Sequence, residues 1–135
     1  MRLKAALTLS LVLMTTAVAA SDRAPLRDVP EIDDAMLWVA LAIEISNKCD
    51  QINPRTLKGI ATLYGLKSRA RTLGYSSAEI DAYAKSPDEK ARMRKRGERY
   101  VRARGLDPSS PAALCALGRT EINRSSKIGV LLRAK

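Results

Sequence analysis

The sequence predicts an all-α fold, a small bundle of about five helices around a central apolar helix with one disulfide. The stretch Ala35–Ile43 is apolar throughout and contains the only tryptophan. A helix that is apolar on every side has no face for water, so other segments should pack around it. Helix start and stop signals recur along the rest of the chain, and no alternating strand pattern of convincing length interrupts them.

The central helix is expected to run from about residue 31 to Lys48. Asp28 is the predicted N-cap, and Pro30 falls in the first turn, where its missing N–H is not needed. Asp33 and Asp34 lie near the start and Lys48 near the end, each with the sign that complements the helix dipole. Glu44 follows the apolar run and is interpreted as the solvent edge of the helix, although a buried acid with a raised pKa is an alternative.

Four further helices are predicted from capping residues, prolines and glycines. Their starts are marked by Asn53–Pro54, Ser76–Glu79, Ser86–Glu89 and Ser110–Pro111. Gly74 and Gly105 are expected to end two of them. In the second helix the residues that recur at helical spacing are Leu57, Ile60, Ala61, Tyr64 and Ser68. The last helix is expected to run to Leu132, with a weak point at Ser125–Ser126.

The first residues have the pattern of a signal peptide, assigned to 1–20. Arg2 and Lys4 precede an apolar run, and small residues follow where a signal peptidase would cut, after Ala19 or Ala20. The alternative, a membrane anchor, needs roughly 20 apolar residues, and this run is shorter. We therefore expect a periplasmic protein without a transmembrane span after cleavage. Residues 21–30 are predicted as an extended lead-in, and 31–135 as a single helical domain.

The two cysteines, Cys49 and Cys115, are predicted to form a disulfide. An even pair in an oxidising compartment is most simply joined, here linking the end of the central helix to the last helix. A metal or redox site is the weaker interpretation, because the chain has no histidine and no Cys-x-x-Cys pair. No cofactor and no metal are expected.

The fourth helix is the most informative predicted surface. Within 90–104 eight residues are Lys or Arg and one is acidic, in a chain of net charge +10. At 100° per residue the cations gather on one side, opposite Met93, Gly97, Tyr100 and Val101. The predicted anion- or partner-binding stripe is Arg92, Lys95, Arg96, Arg99 and Arg102.

This basic stripe has two interpretations, one structural and one functional. It is either a solvated face or a strip that binds an envelope protein or anionic lipid headgroups peripherally. Nucleic acid is not expected, because export removes the chain from DNA and aromatic residues do not alternate with the cations.

A second candidate surface lies on the last helix. Steps of three and four place Gly118, Ile122, Ser125 and Gly129 on one face beside Cys115. Small residues there fit close packing in the core, or a docking face for a partner helix.

Nothing in the sequence indicates a catalytic site. Without histidine there is no usual general base near neutral pH and no Ser-His or Cys-His pair. We therefore predict a non-enzymatic binding protein, with an unrecognised enzyme as an alternative, and assign no catalytic residues.

Six segments of the chain look familiar: Asp28–Ala35, Gly65–Arg71, Leu73–Ser76, Lys90–Met93, Cys115–Arg119 and Gly129–Lys135. Together they resemble a family of small exported alphaproteobacterial proteins of unknown function, some of them labelled as an NADH dehydrogenase component. The iron–sulfur component that the label denotes is thioredoxin-like and binds a [2Fe–2S] cluster through four cysteines, and this chain has two. The resemblance therefore implies, as an alternative function, an accessory or assembly protein that associates with the respiratory complex in the inner membrane.

Overall fold

The computed structural model describes residues 22–135, and this part of the chain confirms the all-α bundle of five helices. The predicted signal peptide, 1–20, lies outside the described residues, as does residue 21 of the lead-in. No helix between residues 22 and 135 is long and apolar enough to cross a membrane. The helices are α1 (Pro30–Lys48), α2 (Thr56–Thr72), α3 (Ser77–Lys85), α4 (Pro87–Arg102) and α5 (Pro111–Asn123).

The central helix α1 begins with Pro30 at its first position and ends at Lys48, as expected. Its N-cap is Val29, however, and the prediction of Asp28 as the cap was wrong. The reason is that Leu26–Asp28 wind into a 3₁₀ turn. This turn buries Leu26, so part of the predicted extended lead-in is folded against the domain.

The main core forms around α1. Buried side chains of α1 contact Met93 and Val101 of α4 and Leu114 and Leu117 of α5. The α1 residues concerned are Leu37, Val39, Leu41, Ala42 and Ile45. Contrary to the expectation of a fully covered helix, one side of α1 stays open: Met36 and Ala40 are only partly buried, and Ile43 is 51% exposed.

The predicted disulfide is present. Cys49, the C-cap of α1, is bonded to Cys115 in α5, with Cα atoms 5.1 Å apart. Cys49 is completely buried. The bond therefore fixes α5 beside α1 inside the core.

A short antiparallel sheet was not predicted. Strand β1 (Ile52–Pro54) pairs with β2 (Leu132–Ala134), with Ile52 opposite Ala134. Three residues are too few to show an alternating pattern, so the sequence carries no strand signal here. Because Pro54 belongs to β1, α2 starts at Thr56 and not at Asn53–Pro54.

The prediction that the last helix reaches Leu132 was wrong. Helix α5 ends at Asn123, Ser125 has φ +48°, and Gly129–Leu131 form a 3₁₀ turn. The break at Ser125 coincides with the predicted weak point. Gly118, Ile122, Ser125 and Gly129 therefore do not lie along one helix, and the continuous docking face predicted for them is absent.

The two glycines of that group pack in the interior. A Cβ on Gly118 would lie 2.5 Å from Ile52 Cδ1 and 2.7 Å from Ile45 Cγ2. A Cβ on Gly129 would lie 1.9 Å from the backbone oxygen of Glu121. The small residues thus allow close packing between α1, β1, α5 and the C-terminal turn.

Replacing Gly118 with Ala should lower the free energy of unfolding by about 1–3 kcal/mol, because the added methyl group overpacks the core. Ile45 is β-branched and helical, so its Cγ2 has little freedom to move away. The measurement is urea unfolding. Gly59→Ala is the matched control: its Cβ would meet nothing within 4 Å, so the same change should stabilise α2 by about 0.5–1 kcal/mol.

Removing the disulfide by the double change Cys49→Ala and Cys115→Ala should lower the free energy of unfolding by about 4 kcal/mol in the chain-entropy model. The bond closes a loop with a sequence separation of 66. Urea unfolding of the wild-type protein in the presence of a thiol reductant provides an independent check. A double variant as stable as the oxidised protein would show that the bond adds nothing.

Candidate functional site

Helix α4 begins at a well-formed cap. The Ser86 hydroxyl accepts a hydrogen bond from the Glu89 backbone N–H at 3.3 Å, and Pro87 occupies the first position. The chain then leaves the helix near Gly105, which has φ +71°. These signals fix where α4 begins and ends.

Two cations of the predicted stripe point inward and not to solvent. Arg92 binds both carboxylate oxygens of Asp33, with Nη1 3.0 Å from Oδ2. Arg96 also binds Asp33, and its Nη2 lies 2.6 Å from Asp34 Oδ1. The side chain of Asp33 is only 6% exposed. The five predicted residues therefore do not form a single free surface, because two of them are paired with α1.

Three further side chains, Tyr83, Glu89 and Arg27, complete this network. The Tyr83 hydroxyl donates to Asp33 Oδ1 at 2.6 Å. Glu89 is buried, accepts from Arg92 Nε at 2.7 Å and pairs with Arg27. The network thus ties α1 and α4 to α3 and to the N-terminal 3₁₀ turn.

The network stabilises the ionised form of the Asp33 carboxylate. Burial alone would raise the pKa of Asp33, but hydrogen bonds from Arg92 and Tyr83 and the charges of Arg92 and Arg96 outweigh it, so the pKa is lowered. Burial and the bond to Asp33 raise the pKa of Tyr83. A carboxylate stabilised in this way is a weak base, so the arrangement suits structure better than proton transfer.

A third buried acid, Glu121, fixes the other end of α4. Glu121 is 1% exposed and accepts from the Tyr100 hydroxyl at 2.9 Å. The Arg104 guanidinium lies 3.4 Å above the Tyr100 ring, and Trp38 meets the ring edge-on with centroids 5.4 Å apart. Burial and the bond to Glu121 raise the pKa of Tyr100. The contacts join α4 to α1 and α5.

The other cations of the predicted stripe are exposed. Lys95 and Arg99 form no ion pair with any residue from 22 to 135, and Arg102 pairs with Glu98 at 3.2 Å. Lys90 and Arg94, which the stripe did not include, are also exposed and lack an ion pair within the same range. They lie one turn apart and border a groove.

The groove runs along the uncovered side of α1 and has a volume of about 780 Å³. Its apolar lining comes from all five helices. Gly97 lets α4 lie close to α1, since a Cβ there would stand 3.4 Å from Leu41 Cδ2. The apolar residues that line it include Met36, Ala40, Ile43, Leu63 and Met93.

Charges border the groove on both sides. Glu44 pairs with Lys48 at 2.9 Å on α1 and is half-exposed, which confirms the solvent-edge interpretation of Glu44. The α4 side carries Lys90 and Arg94. Glu44 and Glu98 have ion-pair partners of their own, whereas the exposed Asp107, which also lines the groove, has none among the described residues. Lys90 and Arg94 together outweigh this one acid, so the net uncompensated charge at the rim is positive.

Sequence reasoning missed the ion pairs between α4 and Asp33 for an identifiable reason. The helix dipole is enough to account for Asp33 in the sequence, so the inward turn of Arg92 and Arg96 is not expected from it. The signal available in the sequence is two arginines one turn apart on α4 and two adjacent acids on α1. Within residues 22–135 there is no group of three or more His, Cys, Asp or Glu side chains placed to hold a metal ion.

The fold and this surface define a small, disulfide-bonded helical domain with an open apolar groove beside a basic helix. The chain belongs to a family of unknown function, DUF5333, whose model matches residues 24–133. No curated protein and no solved structure matches it. Membership confirms the expected relation to an uncharacterised family.

Replacing Asp33 with Asn should lower the free energy of unfolding by about 3 kcal/mol at neutral pH. Arg92 and Arg96 then lose the buried counter-charge that they share, and each keeps only its second partner, Glu89 or Asp34. Folding lowers the pKa of Asp33. Its carboxylate therefore stabilises the fold above about pH 4, and this contribution is lost as the pH falls through the lower folded-state pKa. In urea unfolding, the difference between variant and wild type should shrink at acid pH.

The adjacent Asp34 provides the control. Its side chain is 47% exposed and has Arg96 as its ion-pair partner. Asp34→Asn should cost about 0–1 kcal/mol, as for exposed ion pairs. Equal losses for the two variants would contradict the special role given to Asp33.

Proposed function

We propose that this protein is an exported, non-enzymatic binding protein that accepts an acidic, amphipathic helical segment of an envelope protein in the groove between α1 and α4. The observation that carries the proposal is the uncovered apolar side of the central helix, next to cations that lack an ion pair within the described residues. As the sequence predicted, the basic helix α4 is the contact surface in this proposal. The contacting cations, however, are those at the groove rim and not those of the outward stripe.

The apolar lining supports a partner with an apolar face. Ile43 is 51% exposed although it lies in the helix that forms the core. Covering such side chains removes apolar surface from water and favours association. Met36 and Met93 also line the groove, and methionine adapts its shape to different partners.

The charges at the rim support an acidic partner. Lys90 and Arg94 stand on the α4 side, one turn apart, without ion pairs in the described part of the chain. An amphipathic helix in a groove places its apolar face inward and its flanking residues at the rim. Acidic flanks would then meet these two cations, which chiefly raises the association rate and the specificity.

The disulfide supports an oxidising compartment. The predicted cleavage after Ala19 or Ala20 and the periplasmic location remain part of the proposal. So does the choice of a binding protein over an enzyme.

The alternatives have less support. An accessory protein of the respiratory complex was expected to use the small-residue face, and Gly118 and Gly129 of that face are buried in the core. Anionic lipid headgroups on the outward Lys95, Arg99 and Arg102 would use the charge of α4 but not the groove beside it.

The test is to place a photo-crosslinking amino acid at Ile43 in the exported protein and identify the peptides it captures in cell envelopes. Capture of an acidic, amphipathic helical segment supports the proposal. The control position is Ala78, which is exposed on α3 away from the groove lining. The same adducts from both positions, or adducts to lipid alone, would contradict it.

Replacing Lys90 and Arg94 together with Gln should weaken binding to the captured segment about three- to tenfold, as for two exposed ion pairs. The salt dependence of binding should fall in parallel. Fluorescence anisotropy of a labelled peptide measures both. The matched control replaces Lys95 and Arg99 with Gln, which removes the same charge outside the groove. An equal loss of affinity in the control variant would contradict a specific role of Lys90 and Arg94 and would indicate that the partner contacts the outward face of α4.

A further inference from the structure

Helix α2 exposes large apolar side chains on the surface. Leu57 is 85% exposed and Tyr64 is 71% exposed, with Ile60 between them at 45%. Ala70 is the buried residue of this helix. The apolar residues that recur at helical spacing therefore face solvent, and α2 contacts the domain through its other side.

The position of α2 is fixed at both ends. The backbone N–H of Arg55, its N-cap, donates to the Leu131 carbonyl at 2.8 Å. Near the other end Arg69 pairs with Glu31 at 2.8 Å. The exposed stripe is thus held on a supported helix, and its outward direction is a property of the fold.

Cations surround the most exposed of these side chains. Leu57 borders a shallow depression that Arg55, Lys58 and Arg133 also line, and no acidic residue lines it. These three cations form no ion pair within residues 22–135, although Arg55 Nη1 lies 3.5 Å from the Val130 carbonyl oxygen. Within the described chain, a protruding leucine therefore stands among three uncompensated positive charges.

We propose that α2 docks the protein on an anionic phospholipid bilayer, with Leu57 and Tyr64 inserted among the lipids and Arg55, Lys58 and Arg133 at the headgroups. Helices that lie in a membrane interface combine an apolar stripe with flanking cations. Tyrosine suits this depth because its ring is apolar and its hydroxyl is polar. This surface differs from the proposed groove, so the two can fail independently.

The shape of the surface favours a bilayer over a protein partner. Protein hot spots usually fill pockets, and their charged neighbours are paired across the interface. Side chains as exposed as Leu57 and Tyr64 would need a matching cavity in a protein, whereas fluid lipid needs none. The positive charge on all three neighbours matches a surface of uniform negative charge.

The test is flotation of the purified, disulfide-bonded protein with vesicles, using the same N-terminus in every variant so that the leader cannot cause a difference. The probes are vesicles of phosphatidylcholine and of an equimolar mixture with phosphatidylglycerol. The wild type should float with the mixed vesicles only, and less so as salt rises. Failure to bind the mixed vesicles overturns the proposal.

Leu57→Gln should weaken vesicle binding about tenfold or more, the factor for losing one leucine from an apolar environment. Lys58→Gln should weaken it about fivefold, the factor for one cation near an anionic surface. Since both side chains are exposed, the thermal unfolding midpoint should not change. Leu57→Trp keeps the apolar contact, so it should bind as well as the wild type and shift its fluorescence to shorter wavelength on binding.

Two control variants locate the contact. Ile43→Gln removes an exposed apolar side chain from the groove, and Lys95→Gln removes a cation from α4. Both should leave vesicle binding within about twofold of the wild type, allowing for the general loss of charge. A larger loss from Lys95→Gln than from Lys58→Gln, or no fluorescence shift for Leu57→Trp, would overturn the assignment to α2.

Discussion

A buried carboxylate in an apolar helix needs compensation, and the arrangement of this domain depends on how Asp33 obtains it. Arg92 and Arg96 supply the positive charge and Tyr83 a further hydrogen bond. To do so, α4 must lie along α1 with these two arginines turned inward. That orientation brings Lys90 and Arg94 to the opposite edge of α4. The free basic surface is therefore what remains after the internal acids have been satisfied.

Much of the fold could be predicted, because its determinants are local. Apolar Ala35–Ile43 marked the central helix, capping residues such as Ser76 and Ser86 marked helix starts, and two cysteines in one chain marked the bond. The strands and the early end of α5 could not be predicted. They depend on pairing between Ile52–Pro54 and Leu132–Ala134, which only the folded chain brings together.

The candidate site was predicted less well, for a related physical reason. A helical wheel gives the angle between Arg92 and Lys95 but not which of them has an acid opposite it. Asp33 decides that, and the sequence does not distinguish it from an ordinary helix residue. Likewise the apolar residues of α2 fit a helix in the sequence, but their direction depends on which side of α2 the domain covers. Both candidate surfaces thus depend on information that no single segment contains.

The pairing of β2 with β1 has a consequence for the order of folding. Leu132 is buried in the same core as the central helix, and the last residues of the chain close the sheet. The core is therefore incomplete until Leu132–Ala134 pairs with Ile52–Pro54. Contacts between parts of a chain this distant in sequence form slowly, because closing the loop costs entropy before the contact stabilises the fold. We therefore expect this pairing to be among the late steps of folding.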